Sequence, residues 1–326
     1  MHLSDGKRHT GTELAGKLGI SRAAIWKHIQ SIQKQGLPIQ ATQGKGYCLD
    51  YPICLLNEAG IRQCLPDSLQ PDINIVQQTD STNNWLKQRA GEGLEAGSVC
   101  IAEQQTAGRG TRGRTWLSPP GINIYLSLYW QFEKTPAELS GLSLAIAVAL
   151  AQALEDRGYN GIMIKWPNDL YTARGKLGGL LIDMLTETNG PTQAIIGVGL
   201  NVGMRREHSA AVDQPIDDLN RNDPDWQADA PKLDRNQLAA MIIGTLNESC
   251  NTYEAQGFDI FRQQWPRWDM VQGQSVVLKP LVSYKDQQDI HGVASGIDES
   301  GALLLQTEQG LSRHASGDVS LRPEQS

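Results

Sequence analysis

The chain has 326 residues, of which 40% are apolar and 20% charged, and its formal net charge is −7. This composition excludes a disordered chain, and the length predicts two or three domains, since domains typically hold about 100–200 residues. The longest apolar stretch, Leu142 to Leu154, is too short to span a membrane. We find no secretion signal, and the five cysteines include no Cys-x-x-Cys pair, so we expect a cytoplasmic protein without a disulfide framework or structural zinc.

Positive charge is concentrated at the start of the chain. Residues 1–46 hold seven Lys and Arg against two acidic residues, a net charge of +5, so the remainder carries −12. A small basic region on an acidic body is the asymmetry expected when one end of a chain meets nucleic acid. The alternative is a basic domain without such a partner.

A short helix, a glycine and a second helix follow one another in this basic region. Periodicity predicts the first helix over Thr12–Leu18, ended by Gly19 in the left-handed conformation. Ser21 has the residue type that caps a helix, and the second helix is predicted over Arg22–Gln35. The apolar positions expected to face inward are Leu14, Ala15 and Leu18, and then Ala24, Ile25, Ile29 and Ile32. The spacing is typical of a helix-turn-helix.

A recognition helix of this kind enters the major groove of DNA by its N-terminal end. The following stretch PIQATQGKGYCL alternates around Gly-Lys-Gly and predicts a β-hairpin wing. The candidate DNA contacts are Ser21, Arg22, Ala23, Trp26, Lys27 and, at the tip of the wing, Lys45. The alternative is a helical hairpin that packs on another part of the protein. The preceding MHLSDGKRH is short, polar and interrupted by glycine, so we expect an incomplete first helix or a late start.

Strand and helix signals alternate through the middle of the chain, after a linker and short helix over 51–66. Strands are predicted over 73–78, 98–102, 123–130, 161–165, 177–185 and 193–202, and helices over 84–89, 135–157 and 235–256. Thr135 to Glu138 forms a capping box that is predicted to begin the long helix. Asp234 is expected to cap the last helix and Gly257 to end it. The final fifty residues hold four short runs (SVVLKP, IHGVASGI, ALLLQT, DVSLR) between Gly and Asp, which predicts a small all-β module.

The segment from Gly108 to Trp116, GRGTRGRTW, combines three glycines with three arginines. Glycine lets the backbone approach a ligand closely, and arginine offers paired donors to a carboxylate or a phosphate. The fingerprint of an ordinary phosphate loop is absent. The segment therefore predicts a mobile loop that folds over an anionic ligand, and the alternative is a basic surface loop.

Two further segments carry polar residues at the ends of predicted strands. Pro167 breaks the strand in KWPNDL, so Asn168 and Asp169 fall at a strand end, where an acidic residue can hold Mg²⁺ or a ribose hydroxyl. In GKLGGL, Lys176 begins an otherwise apolar strand between glycines. A lysine there is either a solvated edge residue or an inward cation that faces an anion, and the residues leave both open.

Taken together, the motifs resemble the biotin–protein ligase family. The segments that carry the resemblance are STN at 81–83, QQTAGRGTRGRTW at 104–116, KWPNDL at 165–170, GKLGGLL at 175–181 and GVGLN at 197–201. The start GTELAGKLGISRAAIWKHI and the tail GIDESGALLL…GDVSLR resemble the form in which the ligase doubles as the biotin operon repressor. The resemblance covers residues 10–322, and the arginine-rich loop is not the pattern of the lipoate ligases that share the fold.

The resemblance implies an α+β (α/β) catalytic domain like those of class II aminoacyl-tRNA synthetases and biotin/lipoate ligases. It further implies an N-terminal winged helix-turn-helix and a small C-terminal β-barrel of the Src-homology-3-like type. We predict domains over 1–50, 67–270 and 271–326, with the linker at 51–66. The implied reaction uses ATP and Mg²⁺ to convert biotin to biotinyl-5′-AMP and transfers biotin to a lysine of a biotin carboxyl carrier protein. A DNA operator and an adenylate-bound homodimer are the other implied partners, with no membrane and no tightly bound cofactor.

The resemblance also implies roles for individual residues. The catalytic residues would be Arg109 and Lys176, and Asp169 would hold Mg²⁺. Biotin would meet Ser81, Thr82, Asn83, Gln105, Arg109, Gly110, Thr111, Lys176 and Gly179. ATP or the adenylate would meet Arg112, Arg114, Trp116, Lys165, Asn168, Asp169 and Asn201.

The chain departs from the family pattern at Thr111, where arginine is common, so we expect a looser hold on the adenylate. We assign no role to the six histidines and find no Ser-His-Asp or Cys-His arrangement. Two alternatives remain: a DNA-binding sensor that only binds biotinyl-AMP as a corepressor, and a lipoate or octanoate ligase.

Overall fold

A computed structural model describes residues 2–185, 191–205, 208, 210–222, 234–280, 288–316 and 319–323. The strands of these residues form three sheets. In order along the chain, the sheets have two, seven and five strands. Among the described helices, none is both long enough and apolar enough to cross a membrane.

The N-terminal region is a helix-turn-helix followed by a hairpin. Its elements are α1 (Gly11–Leu18), α2 (Arg22–Lys34), β1 (Ile39–Thr42) and β2 (Gly46–Leu49). The predicted caps form, since the Ser21 side chain accepts a hydrogen bond from the Ala24 N–H and Gly19 adopts a φ of 66°. These local signals end α1 and begin α2 where the sequence predicts.

One inward position of this region was predicted wrongly. Leu18 is 50% exposed, whereas Leu14 on the same face of α1 is buried. Ile20, in the turn between the helices, packs against the core of the region instead. The last residue of α1 is thereby left at the surface.

A turn at residues 2–5 covers the helix pair in place of a further helix. Leu3 is 4% exposed and packs with Leu14, Ile25 and Ile29. The backbone N–H and C=O of His9 pair with Tyr47 of β2, both at 2.8 Å. The same apolar cluster includes Ile122 and Met204 of the central region, so the helix-turn-helix packs directly against that region.

The connecting segment contains the predicted short helix, α3 (Glu58–Arg62), and is fastened by a buried ion pair. Glu103 accepts hydrogen bonds from the Leu56 N–H and from Arg235, each at 2.7 Å. Arg235 also donates to the Cys54 carbonyl at 2.8 Å and to the Asn123 carbonyl at 2.6 and 2.9 Å. Both charged side chains are almost fully buried. This junction fixes the connecting segment to the central sheet.

The central sheet has seven strands in the order β3-β4-β5-β9-β8-β7-β6. They are β3 (Ile73–Val76), β4 (Val99–Ala102), β5 (Ile124–Phe132), β6 (Met163–Lys165), β7 (Asp169–Thr172), β8 (Gly175–Leu185) and β9 (Thr192–Leu200). The β3–β4 pair is parallel, and all the other pairs are antiparallel. The sequence did not predict β7, which is a four-residue hairpin partner of β6.

Helices cover both faces of this sheet. The helices are α4 (Thr82–Ala90), α5 (Leu142–Glu155), α6 (Leu219–Asn222), α7 (Arg235–Gln256) and α8 (Asp259–Arg262). Leu86 of α4 packs on Tyr129 and Ile195, whereas α5 and α7 pack on the neighbouring positions Leu128 and Ile196. Successive strand residues face opposite sides of a sheet, so the two helical layers lie on opposite faces.

The beginning of α5 differs from the prediction. The capping box does form, because Glu138 accepts hydrogen bonds from the N–H and hydroxyl of Thr135 at 2.9 and 2.7 Å. It closes a turn that carries Leu139 into the core, and the helix begins only at Leu142. Tertiary packing of this turn overrides the local signal, whereas α7 begins and ends as predicted.

The last region is a five-stranded antiparallel sheet in the order β13-β12-β11-β10-β14. Its strands are β10 (Ser275–Pro280), β11 (Ile290–Ile297), β12 (Leu303–Thr307), β13 (Gly310–His314) and β14 (Val319–Pro323). The sequence did not predict β13, since its one large apolar residue, Leu311, is 60% exposed. Part of the predicted C-terminal module, at 281–287, 317–318 and 324–326, lies outside the described residues.

Candidate active site

Three glycines form the floor of a cleft on the α4 face of the central sheet. In the β8–β9 register Gly179 pairs with Gly199, and Leu181 pairs with Gly197. A Cβ atom at Gly197 would lie 2.3 Å from the Asn83 amide oxygen, and one at Gly199 would lie 2.5 Å from the Trp116 ring. The glycines of GVGLN are therefore required because the neighbouring side chains lie too close to the sheet to leave room for a Cβ atom.

The cleft is open to solvent and brings together most of the residues that the sequence singled out. Those that line it are Ser81, Thr82, Asn83, Gln105, Arg109, Gly110, Thr111, Arg114, Trp116, Asn168, Asp169, Lys176 and Gly179. Segments that are almost a hundred residues apart in the sequence thus contribute to one site.

Three predicted nucleotide contacts lie outside this lining. Arg112 donates to the Ser316 carbonyl at 3.1 Å, on the C-terminal module. The Lys165 ammonium lies 5.4 Å from the centre of the Tyr171 ring. Asn201 is buried, and its amide donates to the Lys176 carbonyl at 3.1 Å, so it supports the lysine backbone.

Part of the lining of the cleft is a network of neutral polar groups. The Gln105 amide oxygen accepts from the Thr82 N–H and hydroxyl at 2.9 and 3.2 Å, and its nitrogen donates to Ser118 at 3.0 Å. The Ser127 hydroxyl lies 2.7 Å from the Thr82 hydroxyl and 2.6 Å from the Asn83 amide oxygen. The network orients these side chains before any ligand binds.

Sequence reasoning missed Ser127, although a signal was present. It is the polar residue in the apolar run IYLSLYW of β5, and it is completely buried. A buried hydroxyl requires a hydrogen-bond partner, so a serine at that place in a core strand indicates a polar contact.

The cleft also holds cations that are paired with carboxylates. Lys176 is 7% exposed, and its ammonium lies 2.8 Å from Asp169 and 5.3 Å from the centre of the Trp116 ring. The inward interpretation of Lys176 is therefore confirmed. Arg109 forms two hydrogen bonds to Asp183, at 3.1 and 3.2 Å.

Asp183 was also missed by sequence reasoning. It stands as the acidic residue in LLIDML, the apolar second half of β8. Its side chain is 17% exposed. A carboxylate within an apolar strand needs a charged or polar partner, and here that partner lies on the arginine-rich loop.

The arginine-rich loop is closed by its own backbone. The Gly110 N–H donates to the Arg114 carbonyl at 2.7 Å, and the Trp116 N–H donates to the Gly108 carbonyl at 2.8 Å. Arg112 occupies the left-handed region with a φ of 64°. The Thr111 hydroxyl accepts from the Arg114 guanidinium at 3.0 Å, so Thr111 orients a neighbouring arginine of the cleft.

This arrangement suits a ligand with a neutral hydrogen-bonding head and an anionic end. Amides and hydroxyls share the lining with lysine and arginine, and three glycines of the sheet add no side chains to it. The described residues that line the cleft include neither Cys nor His, and the described chain holds no cluster of three or more His, Cys, Asp or Glu placed to bind a metal ion. The cleft can stabilise negative charge that develops between two bound groups.

The candidate DNA contacts are all at the surface of the N-terminal region. Ser21, Arg22, Ala23, Trp26, Lys27 and Lys45 are exposed. Trp26 is 55% exposed, which is unusual for so large an apolar side chain. An exposed basic and aromatic helix face is available for a partner.

Three family models match the chain. Residues 75–201 match the biotin/lipoate A/B protein ligase family, residues 2–48 match a helix-turn-helix domain, and residues 282–322 match the biotin protein ligase C-terminal domain. The order of the three matches agrees with the order of the three sheets along the chain.

Curated relatives match over almost the whole chain. The bifunctional ligase/repressor BirA of Escherichia coli is 39% identical over 320 residues, which cover 98% of this chain and 95% of that protein. The protein of the same name from Bacillus subtilis is 30% identical and covers 96% and 93%, respectively.

A solved structure agrees with the fold. The biotin protein ligase of Aquifex aeolicus, in complex with biotin and ATP, superposes with a TM-score of 0.63 at 27% identity, covering 78% of this chain and 99% of that one. The chain therefore belongs to the biotin protein ligase family, in the form that carries an N-terminal helix-turn-helix domain.

Proposed function

We propose that the protein is an ATP-dependent biotin protein ligase that makes biotinyl-5′-AMP and transfers biotin to a lysine of a biotin carboxyl carrier protein. The observation that carries the proposal is the cleft itself, which is lined by Arg109, Lys176, the polar network of Thr82 and Gln105, and the glycines of the sheet. The Aquifex relative, whose structure contains biotin and ATP, supports the choice of substrates.

Biotin's ureido group suits the neutral polar groups of the cleft. It offers N–H donors and a carbonyl acceptor, which match the amides and hydroxyls of Ser81, Thr82, Asn83 and Gln105. Its valerate chain would lie over the glycine floor, where Gly179 leaves space. Its carboxylate would then reach Arg109 and Lys176.

The first reaction brings two anions together, and the protein must offset their repulsion. A carboxylate oxygen of biotin attacks the α-phosphorus of ATP, the bond to the β-phosphate breaks, and pyrophosphate leaves. Arg109, Arg114 and Lys176 stabilise the negative charge that spreads over the phosphate in the transition state. On the nucleotide side we place Trp116, Asn168 and Asp169 in the cleft, with Arg112, Lys165 and Asn201 around it.

The second reaction needs no covalent intermediate on the enzyme. The amine of a carrier lysine attacks the carbonyl carbon of the adenylate, an amide bond forms, the bond to the phosphate oxygen breaks and AMP leaves. The same cations stabilise the departing AMP. This agrees with the absence of Cys and His from the described lining of the cleft.

Mg²⁺ is part of the proposal, with Asp169 as its protein ligand. Mg²⁺ commonly binds through one or two carboxylates together with substrate phosphates and water. Asp169 lines the cleft and fits that donor set as a single carboxylate, and its pairing with Lys176 puts it beside the reacting groups. The ion would neutralise phosphate charge.

The test is incubation of the protein with ATP, Mg²⁺, biotin and a carrier domain from the same cell, followed by mass measurement. We expect one biotin at one carrier lysine, with pyrophosphate released in the presence of biotin and not of octanoate or lipoate. An unmodified carrier contradicts the ligase, and pyrophosphate release driven by octanoate or lipoate indicates the alternative acid.

We further propose that the N-terminal region represses biotin synthesis genes by binding their operator DNA. The exposed Arg22, Trp26 and Lys27 on α2, with Lys45 on the wing, support this role. Phosphate contacts release counterions, so binding should weaken steeply as salt rises. We expect a salt-sensitive shift of DNA from upstream of biotin synthesis genes when biotin and ATP are present, and no shift under these conditions contradicts the repressor role.

The adenylate-bound protein is proposed to bind DNA as a homodimer. In β8 the Leu180 carbonyl accepts a hydrogen bond from the Asn168 side-chain amide at 2.6 Å. Strand β7 pairs with β8 only as far as Gly179. Because residues of a strand alternate with a period of two, the backbone N–H and C=O groups of Ile182 and Met184 point to the same side as those of Leu180. Met184 is 36% exposed. No strand of the described part of the chain pairs with this side of β8 beyond Gly179, and an open edge of this kind accepts another strand. Sedimentation with and without biotin and ATP tests the proposal.

Three features of architecture and location are part of the same proposal. We place the catalytic domain with the class II aminoacyl-tRNA synthetases, and the C-terminal sheet with small barrels of the Src-homology-3-like type, an assignment that the bulge of β11 between Ala294 and Ile297 supports. We propose that the N-terminal domain ends at residue 50, the linker at residue 66 and the catalytic domain at residue 270. The proposed location is the cytoplasm.

A further inference from the structure

Arg109 is held along one edge of its guanidinium group. Its Nη1 donates to the Asn84 amide oxygen at 3.0 Å and to Asp183 Oδ2 at 3.1 Å, and its Nη2 donates to Asp183 Oδ1 at 3.2 Å. A guanidinium carries five N–H donors in one plane, so these contacts use three of them. Both protons of Nη1 and one proton of Nη2 are committed.

The two remaining donors lie side by side on the other edge. They are the Nε–H and the second Nη2–H, and among the described residues neither has a hydrogen-bond partner. This edge has the spacing that binds both oxygens of a carboxylate or two oxygens of a phosphate. Of the members of this cluster, Arg109 lines the cleft, whereas Asn84 and Asp183 do not. The open edge is therefore the part of the guanidinium that can still bind a ligand in the cleft.

Asp183 is itself firmly placed. It lies on β8 opposite Ile195 of β9, and its Oδ2 accepts a further hydrogen bond from the Asn83 amide at 3.0 Å. At 17% exposure it is better shielded than Arg109, whose side chain is 40% exposed. The sheet thus supplies a fixed point, and the flexible arginine side chain is the part that it orients.

We propose that Asp183 is the positioning residue of the adenylation reaction: it fixes the guanidinium of Arg109 so that the Nε–Nη2 edge meets the substrate anion. Without the carboxylate, Arg109 would have to be ordered by the substrate itself, at the cost of its side-chain entropy. The inference rests on the proposed function, because it takes Arg109 to bind the carboxylate or phosphate that reacts.

The test compares two variants with one control. Asp183→Asn keeps the shape and an oxygen for Asn83 but presents an NH₂ group to the arginine, and Asp183→Glu restores the charge. The control, Glu58→Gln, removes a carboxylate from an Arg62 pair of similar distance, 2.7 Å, on the exposed surface of α3. We expect Asp183→Asn to lower kcat/KM for biotinyl-5′-AMP formation on the order of tenfold to hundredfold, as for a charge-assisted hydrogen bond. Glu58→Gln should keep the wild-type rate.

The decisive measurement is a double-mutant cycle with Arg109→Ala, with rates expressed per active site titrated with labelled ATP and biotin. If Asp183 acts through Arg109, Asp183→Asn adds no further loss once Arg109 is alanine, and Asp183→Glu recovers most of the rate. Full additivity, or a wild-type rate per site in Asp183→Asn, overturns the inference. A wild-type enzyme that forms no adenylate contradicts the proposed function instead, and this is measured first.

Discussion

Two arginine–carboxylate pairs in this protein have the same chemistry and opposite settings. Arg235 and Glu103, at the junction of the connecting segment and the sheet, are 3% and 5% exposed, and Arg235 commits four of its five donors. Arg109 and Asp183, beside the cleft, are 40% and 17% exposed, and the arginine commits three. The first pair has protein partners around it, whereas in the second pair one edge of the arginine has no partner among the residues that the structure describes.

The difference distinguishes an ion pair that holds the fold from one that serves a ligand. A buried ion pair stabilises a protein only when its hydrogen bonds are satisfied, and removal of one partner leaves an unpaired charge. An exposed pair contributes little stability, but it can direct the remaining donors of the arginine. Variants of each pair should therefore change different measured quantities.

The largest effect is expected at the buried junction. Glu103→Gln leaves the Arg235 charge without its counterion, so the free energy of unfolding should fall by about 3–5 kcal/mol. Urea unfolding of the full chain measures the change. The surface pair at Glu58 is the matched comparison, and Glu58→Gln should cost less than about 1 kcal/mol. Equal losses in the two variants would show that burial of the junction does not matter.

Removal of the cleft cations should lower the rate of adenylate formation. Arg109→Ala and Lys176→Ala should each slow adenylate formation by roughly 10²–10³-fold, the usual result of losing one donor to a developing charge. Pyrophosphate release in a single turnover measures the rate, and Lys279→Ala, at an exposed position of the C-terminal module, is the control. Near-normal rates in the first two variants would show that the site lies elsewhere.

A third change adds an open guanidinium to the cleft. Thr111→Arg should slow the release of biotinyl-5′-AMP about tenfold to hundredfold, since a charge-assisted hydrogen bond is worth roughly 1.5–3 kcal/mol. The adenylation rate should change less. Dissociation of preformed adenylate measures the effect, and Thr111→Ser, which keeps the hydroxyl that Arg114 contacts, is the control. Equal off-rates for wild type and Thr111→Arg would show that position 111 is tolerant.

The smallest effect concerns a cation that is charged only at lower pH. Both ring nitrogens of His9 contact carboxylates, Glu13 at 3.0 Å and Asp5 at 3.1 Å. The hydrogen bonds to Glu13 and then to Asp5 raise the pKa of His9 against the opposing effect of burial, and Lys17 and His9 lower the pKa of Glu13 to about 2. The contribution of the charged His9 ring to the stability of the fold is therefore complete below pH 6.5, and it is lost as the pH rises through the raised pKa of His9.

Comparison of wild type with His9→Gln at pH 6 and pH 8 tests this titration. The difference in Tm should be larger at pH 6, because the imidazolium can donate to both carboxylates and the neutral ring to only one. An NMR titration of the His9 ring should give a pKa above 6.5. The same difference in Tm at both pH values would contradict a role for the charged ring.

Short-range features of this protein could be predicted from the sequence alone. The Ser21 cap, the left-handed Gly19 and the hairpin wing depend on residues within a few positions of one another, and they form as expected. The motifs that line the cleft were likewise recognisable, because each is contiguous in the chain. Most polar and cationic groups that line the cleft were therefore identified before the fold, whereas Ser127 and Asp183 were not.

Long-range partners were decided only by the tertiary structure. Asp183 meets Arg109 across 74 positions and Glu103 meets Arg235 across 132, and no local pattern pairs them. The same holds for the delayed start of α5, where Leu139 is drawn into the core against a well-formed capping box. Hydrogen bonds between neighbours in sequence are favoured by the chain itself, whereas these contacts exist only because the sheet and its helices bring distant segments together.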